Sequence, residues 1–309
     1  MRIAVSLAAV VLACCAGGAQ AARPAWAADG RSATIPVREA SGDVAQMVTT
    51  WFVPPGPGPF PVVVFSHGRA SGADGRARVD VGVSKAQLHY WLAKGVAVVS
   101  PVRPGYGEST GGDVEDSGAH YDSAGRCTGR PNFRKTADAA VLTVSATLAW
   151  LRDQPWADTH DVLLVGQSVG GLTTVAAGSL GLPGVVGYIN FAGGTGGNPE
   201  KSPGASCDPG QLKSLYGDFG KTTRVPNLWV YAMNDQYWGP DEPVEWQAAF
   251  AKGGSATTFF HAPAVADGDG HGLSRHDPAL WAPAVDEFIA RVPFPGKAAV
   301  APGASVAQH

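Results

Sequence analysis

Ser168 stands between Gly166 and Gly170, at the end of the apolar run of "DVLLVGQSVGG". A serine hydroxyl attacks a carbonyl only when a base takes its proton and a further group orients that base. It also needs a tight turn and room for the substrate. Gly166-Gln167-Ser168-Val169-Gly170 fits G-x-S-x-G at the point where a strand gives way to a helix, a turn that leaves no space for side chains at either glycine. The bland alternative is a serine that caps the helix starting at Gly170.

For this kind of turn the expected chain order is serine, acid, histidine. Asp235 follows the apolar "NLWVYAMN", at the C-terminal end of an expected strand, where sites gather in open α/β sheets. His271 follows in the glycine-rich "DGDGHGLSRHD". His276, beside a helix start, and His261, near a strand end, are less well placed. So is Asp241, which follows Pro240 and reads as a loop charge or helix cap. An oxyanion needs two backbone N–H donors, expected from Val169 and from the loop after "FSHG", at Arg69. His67 precedes the serine and reads as a residue that shapes this loop. Tyr237 and Trp238, just past the acid, are candidates to line an acyl site, with ordinary packing as the alternative.

The elements that must position these residues alternate. β-Branched runs in "PVVVFSHG", "GVAVVSP", "DVLLVGQS", "GVVGYINF" and "NLWVYAMND" read as buried parallel strands. Helix-like stretches separate them, from Lys85, from Thr136, and from Gly170 to Leu180. That order implies an α/β fold with helices on both faces of a parallel sheet. "SATIPVRE" and "AQMVTTWFVP" suggest an opening antiparallel hairpin, and Asp277 to Val292 suggests one closing amphipathic helix.

In order along the chain, "FSHG", "RPGYGEST", "GQSVGG", "ND" and "GHG" resemble the landmarks of the α/β-hydrolase superfamily, over roughly residues 60 to 290. The spacing is most similar to the branch holding dienelactone hydrolases and prolyl-oligopeptidase-like enzymes. The resemblance implies an eight-stranded, mainly parallel sheet, no metal, and hydrolysis of esters, lactones or peptides. Dienelactone hydrolases carry cysteine where this chain has Ser168, so ester hydrolysis is the better-matched chemistry. The propeller of prolyl oligopeptidases has no counterpart here, and no large cap domain is expected. The segments left over, Gly111 to Arg134 and Gly193 to Val225, read as loops at the mouth of the site.

The first 21 residues read as a signal peptide, with Arg2, an apolar stretch from Ile3 to about Ala16, and Ala19-Gln20-Ala21 as cleavage site. That stretch falls short of the ~20 residues of a membrane span. Lipidation at Cys14 is a second, weaker reading. The organisation expected is signal peptide 1–21, catalytic domain 22–292 and a mobile tail 293–309, in a secreted or periplasmic protein. Export leaves two cysteines, Cys127 and Cys207, which in an oxidising compartment are expected to pair and tie the two mouth segments together.

Composition excludes other classes. Of 309 residues, 26 are Asp or Glu against 23 Lys or Arg, with no basic run, so nucleic acid is not an expected partner. HExxH, CxxC and helical histidine pairs are absent, and "AGGTGGNPE" lacks a phosphate-binding order, so no metal or other cofactor is implied. The expected function is an exported serine esterase acting on a small or polymeric ester. The alternatives are a peptidase or amidase using the same residues, and a silent binding protein.

Overall fold

A computed structural model describes residues 25–70, 72–266 and 268–295. The expected signal peptide, Cys14 and residues 296–309 of the expected tail lie outside the described residues.

In chain order the strands are β1 (Arg31–Arg38), β2 (Val44–Phe52), β3 (Phe60–Ser66), β4 (Ala97–Pro101), β5 (Ala157–Gln167), β6 (Val185–Phe191), β7 (Gly197–Asn198), β8 (Ser202–Ser206), β9 (Asn227–Ala232) and β10 (Thr257–Ala262). Eight of them form one sheet, ordered β1-β2-β4-β3-β5-β6-β9-β10, while β7 and β8 pair as a separate ribbon. The expected opening hairpin is present: β1 and β2 run antiparallel, with Ile35 opposite Met47. β2 is also antiparallel to β4, and the remaining pairs of the eight-stranded sheet are parallel, while β7 and β8 pair antiparallel.

The helices are α1 (Ala73–Ala77), α2 (Lys85–Ala93), α3 (Phe133–Leu151), α4 (Val169–Gly178), α5 (Pro209–Thr222), α6 (Glu242–Ala251) and α7 (Ala282–Ile289). Covering both faces explains why β3 reads as an unbroken apolar run rather than an alternation. Val62 and Val64 pack with Ala137, Leu172 and Phe250, on the side of α3 to α6. Val63 and Phe65 pack with Leu88, Trp91 and Phe288, on the side of α2 and α7. Each such side chain contributes about 1.5–3 kcal/mol on full burial.

Three expectations need correction. Helix α3 starts at Phe133 rather than Thr136, because Asn132 accepts the Lys135 N–H at 3.0 Å and sets the start. The closing helix is broken: Pro278–Leu280 forms a 3-10 turn, and α7 begins only after Trp281. Pro283 has no N–H to give an earlier turn and is tolerated at the helix start. The segment from Gly193 to Val225 is not mere loop, since it holds the β7-β8 ribbon and all of α5. At the end of the described chain Phe294 is buried and meets Trp91 edge-on at 6.3 Å. Among the described residues no helix is long and apolar enough to cross a membrane.

The parallel strands all end at one edge of the sheet. There β3 delivers His67 to Arg69, β5 delivers Ser168, and the loop after β9 carries Asp235.

Candidate active site

Ser168 follows β5 directly with φ 59° and ψ −123°, and α4 starts at the next residue. Non-glycine residues rarely hold a positive φ, at a cost on the order of 1–3 kcal/mol unless the surroundings enforce it. Here they do. The Ser168 N–H donates to the Phe191 carbonyl at 2.9 Å, and its own carbonyl accepts from Leu172 at 3.0 Å. A Cβ on Gly166 would lie 2.0 Å from the Gly170 oxygen, and one on Gly170 would lie 1.9 Å from the Ser66 oxygen. Both glycines are therefore required by close backbone approach.

His271 lies in the 3-10 turn Gly270–Arg275, and its Nε2 is 3.0 Å from Ser168 Oγ. On the other side of the ring, Nδ1 lies 3.2 and 3.1 Å from the two Asp235 oxygens. Asp235 Oδ1 also accepts the N–H groups of Tyr237 at 2.8 Å and Trp238 at 3.2 Å. All three side chains are nearly out of solvent: Ser168 is 9% exposed, His271 6% and Asp235 3%. The structure thus brings together the serine, acid and histidine expected from the sequence. His261 instead lies on β10 against Phe259, and His276 and Asp241 flank helical turns.

Two residues that hold this arrangement were not singled out from the sequence. Asp269 Oδ1 accepts the N–H groups of both His271 and Gln236 at 2.9 Å, clipping the histidine turn to the acid loop. Gln167 Nε2 donates to the His271 carbonyl at 2.9 Å, linking the same turn to the serine elbow. The only sequence signal for either is adjacency to an expected site residue. Tyr237 stacks on the His271 ring at 3.9 Å, and burial raises its phenol pKa, with the Asp269 charge adding to the effect. Trp238 is almost fully buried and donates from Nε1 to the Ala192 carbonyl at 2.8 Å.

Two cavities meet at Ser168. The smaller, about 290 Å³, is lined by Ser168, Val169, Arg69, Tyr121, Glu200 and Tyr237, among others. The larger, about 520 Å³, is lined by Ser168, His271, Gln167, His67, Arg78 and Arg275, among others. Val169 opens α4, where helix N–H groups have no partner within the helix. Arg69 also lines the smaller cavity, and its guanidinium pairs with Asp113. A disulfide joins Cys127 to Cys207, with Cα atoms 5.1 Å apart, and so ties the two segments flanking the smaller cavity. Among the described residues no group of three or more His, Cys, Asp or Glu side chains could hold a metal ion.

No family model matches the chain, and no curated protein matches it. Solved structures do. An esterase of Pyrococcus furiosus aligns with a TM-score of 0.53 and 14% identity, over 85% of this chain and 93% of that one. An acetyl xylan esterase from Paenibacillus sp. R4 aligns with a TM-score of 0.52 and 16% identity, over 85% and 84%. The acylaminoacyl peptidase of Pyrococcus horikoshii aligns at 0.54 and 15%, over 85% of this chain but only 42% of its own length. At such identities the likeness is one of fold. By sheet order, serine elbow and these neighbours, the chain has the α/β-hydrolase fold.

Proposed function

We propose that the protein is an exported serine hydrolase that cleaves carboxylic esters through an acyl-enzyme on Ser168. The observation that carries this reading is the continuous contact from Ser168 Oγ to His271 Nε2, and from His271 Nδ1 to Asp235. In the first step Oγ bonds to the ester carbonyl carbon while Nε2 takes the hydroxyl proton. The tetrahedral oxyanion accepts from the Val169 and Arg69 N–H groups. Collapse breaks the ester C–O bond, and the proton on Nε2 goes to the leaving alcohol. Water then repeats the sequence on the acyl-enzyme and frees the acid. Asp235 keeps the imidazole in the tautomer with its proton on Nδ1 and stabilises the imidazolium.

Because Nε2 must reach the leaving oxygen, the alcohol belongs in the cavity that His271 lines, and the acyl group in the smaller one. The latter's side chains are largely polar, among them Asp116, Ser117, Tyr121, Asn198 and Glu200. An added CH₂ there gains well under the ~0.8 kcal/mol of full apolar burial. Short or polar acyl groups are therefore the proposed substrates. Export is supported by the disulfide, which is stable in oxidising compartments. A peptidase or amidase reading uses the same residues and is favoured by the likeness to an acylaminoacyl peptidase.

The test is hydrolysis of p-nitrophenyl esters from acetate to decanoate by the wild type and Ser168→Ala, beside matched p-nitroanilides. The expected outcome is fastest turnover on the shortest esters, a fall on the order of a million-fold in the variant, and slower anilides. Equal rates for the two proteins would sink the nucleophile assignment.

A further inference from the structure

Behind the loop after β3 lies a fully buried arginine that none of the proposed chemistry uses. Arg103 is 0% exposed. Its Nη1 donates to the His67 carbonyl at 2.5 Å and its Nη2 to the Gly68 carbonyl at 3.4 Å. Nε and Nη2 also pair with Glu115, which is itself buried and accepts from the Tyr106 hydroxyl at 3.1 Å. The Arg103 backbone N–H donates to His67 Nε2 at 3.1 Å. That contact requires an unprotonated Nε2, so the His67 proton sits on Nδ1, which lies 2.7 Å from the Gly68 carbonyl and donates to it. Burial, with the Arg103 charge close by, holds the His67 pKa well below its ordinary value and keeps the ring neutral.

The Gly68 carbonyl and the Arg69 N–H belong to one planar trans peptide unit and point in opposite directions. Donors that fix the carbonyl therefore fix the N–H. Gly68 also abuts the nucleophile, since a Cβ on it would lie 3.3 Å from Ser168 Cβ. A charged donor on the carbonyl further polarises the amide and strengthens its N–H as a donor.

We propose that Arg103, anchored by Glu115, is a positioning residue of the oxyanion hole: with His67 it locks the Gly68–Arg69 peptide so that the Arg69 N–H faces the oxyanion. The inference rests on the reading of Ser168 as nucleophile. Its signature is a loss of transition-state binding, with ground-state binding spared.

The experiment begins with fluorophosphonate labelling of the folded wild type. If Ser168 is not labelled, the nucleophile reading itself fails. If it is labelled, Arg103→Met and Arg103→Lys are compared with wild type on p-nitrophenyl acetate and for inhibition by a boronic acid, with folding checked by circular dichroism. Loss of one hole donor costs about 100-fold or more in kcat, so Arg103→Met is expected to lose about 100-fold. Its KM should stay within about twofold. The boronate inhibition constant should rise in parallel. Arg103→Lys keeps the charge opposite Glu115 but cannot span both carbonyls, and is expected to fall between the two. If Arg103→Met does not fold, Arg103→Lys decides alone. A folded variant with wild-type kcat and boronate affinity overturns the proposal. So does a loss confined to KM, or one accompanied by a shifted pH-rate profile, which would place the effect on His271.

Discussion

One carboxylate, Asp235, holds four contacts: both oxygens face His271 Nδ1, and Oδ1 also takes the N–H groups of Tyr237 and Trp238. Asp235→Asn keeps the shape but offers an amide N–H where the imidazole needs an acceptor. Its kcat on esters is expected to fall about 10⁴-fold, with circular dichroism unchanged. A decrease of less than tenfold would remove Asp235 from the proposed mechanism. At this scale the sequence was legible where chemistry leaves a local mark. Ser168 has flanking glycines, His271 has glycines on both sides, and Asp235 ends an apolar run. The buried pair of Arg103 and Glu115 leaves no such mark, because a charged residue is read as exposed until its partner is known. Trp238 was a candidate to line the acyl site, with ordinary packing as the alternative, and the structure shows both: it lines the smaller cavity and is buried to 1% exposure.

Among the elements, the strands with unbroken β-branched runs were evident, whereas α5 and α6 were not. Helix α5 contains three glycines, Gly210, Gly217 and Gly220. A Cβ on Gly220 would lie 2.0 Å from the Phe250 carbonyl oxygen, so tight packing against α6 required a residue that weakens the helical pattern. The start of α6 carries a titratable group against the end of β8. Glu242 Oε2 accepts the Ser206 N–H at 3.3 Å, and burial pushes its pKa up to about 7, against the pull of that bond and with a push from Glu245. Below the ordinary carboxylate range the group is protonated whether the chain is folded or not. As pH rises toward 7, the unfolded chain gives up the proton first, so folding stability declines through that window and the loss is complete above it. Glu242→Gln is therefore expected to flatten the fall in Tm between pH 5 and 8. An identical fall in the variant would assign the pH dependence to other groups.

For the whole molecule, alternating strands and helices implied the architecture, because a parallel sheet of this size needs helices on both faces. The number of strands and their mainly parallel run followed from the resemblance, whereas the strand order is seen only in the structure. The Cys127–Cys207 bridge, with a sequence separation of 80, closes a large loop, for which chain entropy gives a stabilisation of about 4 kcal/mol. Reduction is expected to lower the denaturant midpoint without changing the sheet content seen by circular dichroism. An unchanged midpoint would mean that the unfolded chain gains nothing from release. The bridge also sets which breaks the chain survives. Ser168 lies inside the closed loop, while Asp235 and His271 lie outside it. A protease that cuts beside Leu180, a 57% exposed side chain just past α4, parts the nucleophile from its partners in sequence. The two pieces nevertheless remain one covalent molecule, held through sulfur, until a reductant separates them.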